Sequence, residues 1–335
     1  MKPLRALHRP CRPPRSKAGG FTLVELMVAL VIGLVILAAV LAVYLSSGRA
    51  SQLSQAETQL NEDGVIALNL IQQQLKQAGY SQQIIPASGA SIAGNFAGLA
   101  VRGCDHGFTS NTAAFDSLAC ASTGSGSAAI AIRYEATKDN TMPVGGSAPL
   151  PSNCMGNGIV EDLDSQASPA PATAPAKHAL ADNRYMVTVA TGQAPMLSCS
   201  AKEKTQSVNA IVAAQPLLAN VEDMQILYGV ASRPSLELAS TYDLMRHQIV
   251  GYYDAASVDA LTPSGALANA TEDRWGRVLS VRVCLTMRSD KPVRDAPPGA
   301  FTYKNCKNVD VTPTDGYLRK TYTTTVLLRN RMLIQ

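Results

Sequence analysis

Much of what an enzyme or a nucleic-acid binder displays is missing from this chain. No Gly-x-Ser-x-Gly elbow is present, and the scattered Ser, His and Asp residues make no triad. Gly124-Ser125-Gly126-Ser127 lacks the Gly-Lys-Ser/Thr ending of a phosphate loop. After the first twenty residues the histidines are His106, His178 and His247, each isolated. Cys104-Asp105-His106 lacks the C-x2-C or H-x3-H partners that give zinc sites their specificity. Glu222 and Asp223 are adjacent in a strand pattern and so point to opposite faces, which suits a solvated strand start better than an acid pair. The expectation is a chain that is not an enzyme and takes no metal or cofactor.

Charge is absent in two places, and both absences inform. No acidic residue precedes Glu25, whereas Lys2, Arg5, Arg9, Arg12, Arg15 and Lys17 do. No charge of either sign falls between Glu25 and Arg49, and residues 26–48 form an uncharged, largely apolar run of 23 residues. About 20 apolar residues at 1.5 Å each cross a ~30 Å hydrocarbon core, so the run predicts a membrane-spanning helix. It is too long for the 7–15-residue core of a secretory signal. The chain has 29 Lys and Arg against 25 Asp and Glu; six of the basic residues precede Gly20, so the remainder carries a net charge of about −2. The basic balance therefore speaks for orientation, with residues 1–20 cytoplasmic, and not for nucleic acid as a partner.

What is present begins with Gly20-Phe21-Thr22-Leu23-Val24-Glu25. Thr22 and Glu25 fit the S/T-x-x-E capping box, and a carboxylate suits the positive end of a helix dipole. A carboxylate at the mouth of an apolar run is nonetheless costly. Beyond the run, Leu53, Ala56, Leu60, Gly64, Ala67, Ile71, Leu75 and Ala78 recur at steps of three and four, one apolar stripe down a helix. Gly79 is placed to cap it. The two segments join into a helix of roughly 55–58 residues. Gly33, Gly48 and Gly64 are points where it is expected to bend or loosen.

The rest reads as strands separated by small-residue loops. Ile130, Ile132 and Tyr134 alternate, as do Tyr185, Val187 and Val189, and Met224, Ile226 and Tyr228. The clearest set is Leu279, Val281, Val283, Leu285 and Met287; the last holds Tyr322, Thr324, Val326 and Leu328. Period-two alternation predicts half-buried antiparallel strands. The expected fold is α+β: a long N-terminal α-helix, its first half membrane-spanning, packed on an antiparallel sheet. Residues 110–127, 143–151 and 168–177 are biased to Ser, Gly, Ala and Pro and are read as surface insertions. A further irregular insertion is placed at 232–273. The expected organisation is a basic segment at 1–20, a transmembrane helix at 21–48, its amphipathic continuation at 49–79, and a β-rich domain at 80–335.

Cys11 lies in the first twenty residues. Cys104, Cys120, Cys154, Cys199, Cys284 and Cys306 remain, an even number in a domain placed outside the cytoplasm. Six cysteines allow 15 pairings. Chain neighbours are favoured: Cys104 with Cys120, Cys154 with Cys199, and Cys284 with Cys306.

Ala18-Gly19-Gly20-Phe21-Thr22-Leu23-Val24-Glu25 resembles the class III leader of type IV prepilins. Residues 68–80, 221–230, Trp275 with 278–288, and 326–331 are similar to PilW-like minor pilins of type IV pilus assembly. The resemblance implies cleavage by a prepilin peptidase between Gly20 and Phe21, N-methylation of Phe21, and pairing of Glu25 with the amine of a neighbouring subunit. It also implies single-pass anchoring in the inner membrane, with the lipid bilayer around the helix and the C-terminal domain periplasmic. The implied partners are that peptidase, other minor pilins, the major pilin and the inner-membrane pilus assembly platform, and the implied role is priming at the pilus tip. The rival readings are a J-type minor pseudopilin of type II secretion, which shares leader and fold, and a tip adhesin.

Overall fold

A computed structural model of the chain describes residues 20–84, 93–96, 98–122, 126–161, 177–205, 208–235, 243–293 and 299–331. The first nineteen residues, the stretch 168–176 and residues 85–92, with Pro86 and Gly89, lie outside it. The chain divides into two compact units, Met1–Ser51 and Gln52–Gln335.

Helix α1 spans Leu23–Gln77, 55 residues. In the first unit it buries nothing: every side chain from Leu23 to Ala50 is exposed. In the second unit it buries the stripe that the sequence marks, with Leu60, Gly64, Ala67, Ile71 and Leu75 inside and Leu53 and Ala56 packed at the margin. Each large side chain so removed from water contributes on the order of 1.5–3 kcal/mol. Gly64 does not interrupt the helix. It sits under the ring of Tyr322, which a side chain at position 64 would strike. Close approach, not bending, is its use. Gly79 has φ +74, a conformation suited to glycine, and Tyr80 N–H closes the last turn on Gln77 O at 2.8 Å.

The remainder forms two main antiparallel sheets where the alternation suggested one, with two small strand pairs beside them, Gln83–Ile84 with Ala93–Gly94 and Tyr303–Lys304 with Asp310–Val311. The larger joins β1 (Val101–Cys104), β2 (Ala129–Ala136), β3 (Ala179–Thr188), β4 (Met196–Thr205) and β5 (Val208–Ile211) in that order, with β6 (Gln215–Ala219) also on β4. The smaller combines β7 (Val221–Ala231), β8 (Ile249–Tyr253), β9 (Val278–Arg288) and β10 (Arg319–Leu327) in the order β8-β7-β9-β10. The register of β9 is long and regular on β10, with nine successive partners from Ser280↔Leu327 to Arg288↔Arg319. Its residues Leu279, Val281, Val283, Leu285 and Met287 are fully buried.

Three expectations need correcting. Strand β2 is buried at all eight positions, not half-buried. Its second face is covered by the loop that follows α1: Arg133 lies over the rings of Phe96 and Phe115, and Glu135 accepts from Ser81, Gln82 N–H and Asn95. The described residues of 110–127 are accordingly not a mere surface insertion. Phe115 and Leu118 belong to the core, and the buried Arg184 guanidinium donates to Asn111 O and Ala113 O. Two large apolar side chains and one disulfide suffice to fasten a segment otherwise poor in them. Nor are the described residues of 232–273 irregular. They supply β8 and two short helices, α2 (Ala255–Ala260) and α3 (Ala270–Trp275). Asp254 caps α2 by accepting from Ser257 N–H, and Asn269 caps α3 by accepting from Thr271 and Glu272 N–H. Trp275 then packs edge-on against Tyr228 of β7, ring centroids 5.0 Å apart. Residues 143–151 close as a small turn through paired Val144 and Leu150 bonds of 2.8 Å.

Candidate functional site

The helix start is built by two side chains. Glu25 N–H donates to Thr22 Oγ1 at 3.3 Å, while Glu25 Oε2 accepts from Thr22 N–H at 2.9 Å and from the Thr22 hydroxyl at 3.1 Å. Leu26 N–H donates to Thr22 O at 3.2 Å, the first intrahelical bond. This is the reciprocal capping box, and it satisfies donors that a helix start leaves orphaned. Gly20 and Phe21 stand outside the helix, and Phe21 is 84% exposed. The site is thus an exposed Gly20–Phe21 bond outside the helix, a capped helix start, and one carboxylate held at the positive end of the dipole. Leu23–Gln77 includes a stretch long and apolar enough to cross a membrane by length and composition. Both oxygens of Glu25 stand beside that stretch, with only Oε2 used in the cap.

Covalent ties hold the second unit. Cys104 bonds Cys120, Cys154 bonds Cys199, and Cys284 bonds Cys306, with Cα atoms 5.2, 6.6 and 5.8 Å apart. The first fastens the end of β1 to the loop carrying Phe115. The second ties residue 154 to the centre of β4, beside Asn183, whose Oδ1 accepts from Cys154 N–H at 3.2 Å and whose Nδ2 donates to Gln74 of α1 at 2.8 Å. The third holds the excursion after β9 to that strand.

Elsewhere the polar groups singled out in the sequence serve the fold. Asp105 accepts from the N–H groups of Ala255 and Ala256 at 3.0 and 2.9 Å. Glu222 pairs with Arg319, which also holds Asp315; Asp223 accepts from Ser127 at 2.7 Å, so the adjacent acids take different partners. His106 is exposed and His178 buried. Among the described residues no group of three or more His, Cys, Asp and Glu side chains is placed to share a metal ion. Burial beside Asn183 and Gln74 pushes the Tyr134 phenol up to about 12, so it stays a neutral donor to Gln74 Oε1.

Sequence reasoning missed two contacts at the ends of the second half of α1. Tyr322 and Lys320 of β10 both donate to Asn61 Oδ1, at 3.0 and 2.8 Å. Asn330 donates to the last carbonyls of α1. Gly64 and Gly79 were the available signals, since each lies where another segment comes too close for a side chain.

The comparisons agree with this geometry. Residues 184–330 match the family model described as Type IV Pilus-assembly protein W, and residues 15–41 match the Prokaryotic N-terminal methylation motif. Of the stretches carrying the resemblance, 221–230, 275–288 and most of 326–331 fall inside the first match, and 68–80 falls outside it. No curated protein and no solved structure matches the chain. The methylation motif spans the cap and the first part of the apolar helix, and the other match runs from within β3 to just past β10, leaving β1 and β2 of the larger sheet outside it; together they support a type IV pilin-like chain of the minor-pilin kind.

Proposed function

We propose that the chain is a minor pilin that primes type IV pilus assembly at the tip. Prepilin peptidase cuts between Gly20 and Phe21, and the new Phe21 amine is methylated. The subunit waits in the inner membrane on residues 21–48, crossing once, with the sheets in the periplasm. It then enters the filament beside other minor pilins and the major pilin, drawn by the inner-membrane platform. No catalytic role is assigned to the chain itself.

The observation that carries this reading is the Thr22–Glu25 cap at the mouth of an apolar helix that buries nothing. The cap uses Oε2 and leaves Oε1 for a neighbour. A carboxylate and an amine are each costly alone in an apolar setting, and together they offset much of that cost. Pairing Glu25 of one subunit with the Phe21 amine of the next then fixes axial register.

Two substitutions separate capping from charge. Glu25→Gln keeps the capping box, which accepts Gln as well as Glu, but removes the charge; Glu25→Ala removes both. Both variants are expected to be cleaved and anchored, and both to be missing from sheared pili. Normal incorporation of Glu25→Gln would end the charge-pairing mechanism. Mass determination of the mature amino terminus tests the cleavage step: a chain that keeps residues 1–20 contradicts it.

A further inference from the structure

The last described residues of the chain return to the end of α1. Asn330 Nδ2 lies 3.1 Å from Lys76 O, 3.2 Å from Gln77 O and 3.4 Å from Ala78 O. Lys76 and Gln77 belong to the last turn, whose carbonyls a helix end leaves short of intrahelical partners, and Gln77 O also accepts from Tyr80 N–H. An amide has two protons, so two of the three are satisfied at once. Arg331 follows. Its Nη1 donates to Gly98 O at 3.2 Å, and its methylenes occupy the space that a side chain at position 79 would need. Gly79 N–H in turn donates to Arg133 O of β2 at 2.9 Å. One short segment therefore meets the helix end, the loop at Gly98 and, through Gly79, the larger sheet.

Arg331 is an odd residue to place there. It is buried, and no carboxylate among the described residues pairs with it. Its Nη2 has no hydrogen-bond partner. A buried, unpaired cation is costly. Its methylenes lie against Gly79, just past the end of α1, and a helix C-terminus carries partial negative charge that favours a cation nearby. Cation and amide thus act on the same feature, the carbonyl end of α1.

We infer that Asn330 and Arg331 form a C-terminal clasp that fixes the last turn of α1 to the domain, and that force drawn along α1 during membrane extraction reaches the sheets through it. The clasp stands on the geometry alone; its mechanical use rests on the assembly reading above.

Hydrogen exchange on the full chain in detergent micelles tests the clasp. Asn330→Asp points a carboxylate at the helix carbonyls and is expected to speed exchange at residues 75–80 by about tenfold, the loss of one or two good hydrogen bonds. Amides of Val281, Val283 and Leu285 keep their rates. Arg331→Met fills the space without the charge and loosens the same residues, whereas Arg331→Lys keeps the cation and stays within about threefold of wild type. Should Asn330→Asp fail to fold, Asn330→Ala gives the milder version of the same reading. Unchanged exchange at 75–80 overturns the clasp, and so does an equal rise in β9, which would make the tail a general stabiliser. In cells the loosened variants are expected to be cleaved and anchored yet scarce in sheared pili. Full incorporation with a loosened helix end overturns the mechanical use and leaves charge pairing at Glu25 untouched.

Discussion

The two parts of α1 obey opposite rules within one run of backbone hydrogen bonds. From Leu23 to Ala50 the helix is almost wholly apolar, yet Leu26, Leu37 and Leu45 are 58%, 55% and 57% exposed. From Gln52 to Gln77 it is mostly polar, yet Ile71 and Leu75 are fully buried. Apolar content does not decide which side chains are inside; a matching surface does. The second part meets the two sheets of its own domain along a single stripe. The first part is exposed all along among the described residues, and a helix apolar all round is read as one covered by lipid or by other helices. The difference separates what the chain settles alone from what it settles only in company.

The sharpest way to break that comparison is to put a charge in the first part. Val35→Asp places a carboxylate near the middle of the span at a cost of at least about 2.5 kcal/mol. Loss of the chain from the membrane fraction is expected, with no change in the melting of the second unit. A domain that melted earlier would show that the first part supports the fold, and the contrast would fail.

Next in size is the covalent tie nearest the second part. Removing the Cys154–Cys199 bond by a double alanine substitution is expected to cost about 2–4 kcal/mol. It also frees the loop at Cys154 from Asn183, which holds Gln74 of α1. Calorimetry in micelles is expected to show melting lowered by roughly 6–12 °C. Membrane retention, which depends on the first part alone, is expected to stay as it was.

How far the sequence foretold this division depends on which residues speak locally. The stripe from Leu53 to Ala78, the cap at Thr22 and Glu25, and strand β9 could all be read, because each is a short-range pattern with one physical cause. The second sheet could not. Its strands β2 and β3 are buried on both faces, so the polar members of the alternation, Arg133, Glu135 and Arg184, looked solvent-bound when each in fact has a partner distant in sequence. The segment 232–273 failed for a different reason. Its helices are six residues each, too short to show a period, and only the caps Asp254 and Asn269 announced them. Gly64 was visible but ambiguous: flexibility and close packing leave the same glycine in a sequence.

That ambiguity gives a smaller, matched test. Gly64→Leu drives a side chain into the ring of Tyr322, whereas Gly33→Leu meets nothing within 4 Å. Overpacking of this kind costs about 1–3 kcal/mol, so the first substitution is expected to lower the melting temperature and the second to leave it alone. Equal effects from the two would mean that helix propensity, not the domain surface, distinguishes the two parts.

The smallest effect is a pH dependence confined to the second part. Asp315 accepts from Arg319 Nη1 and Nη2 at 2.8 and 2.6 Å, and that guanidinium holds its carboxyl down at about 2. Arg319 also pairs with Glu222 of β7, and its neighbour Lys320 donates to Asn61 of α1. Because the folded carboxyl is depressed from an ordinary value near 4, the unfolded chain binds the proton first as acid is added. The pair therefore stabilises fully above about pH 4 and loses its contribution as the pH falls from about 4 to 2. Asp315 is 43% exposed, so solvent screening keeps the contribution below about 1 kcal/mol. Urea midpoints for wild type and Asp315→Asn are expected to differ at pH 7, to draw together below about pH 4 and to converge only near pH 2, with the gap at pH 7 narrowing in high salt. A gap that widened in acid would mean that some other group sets the acid limb, and the second part of α1 would not owe its setting to this pair.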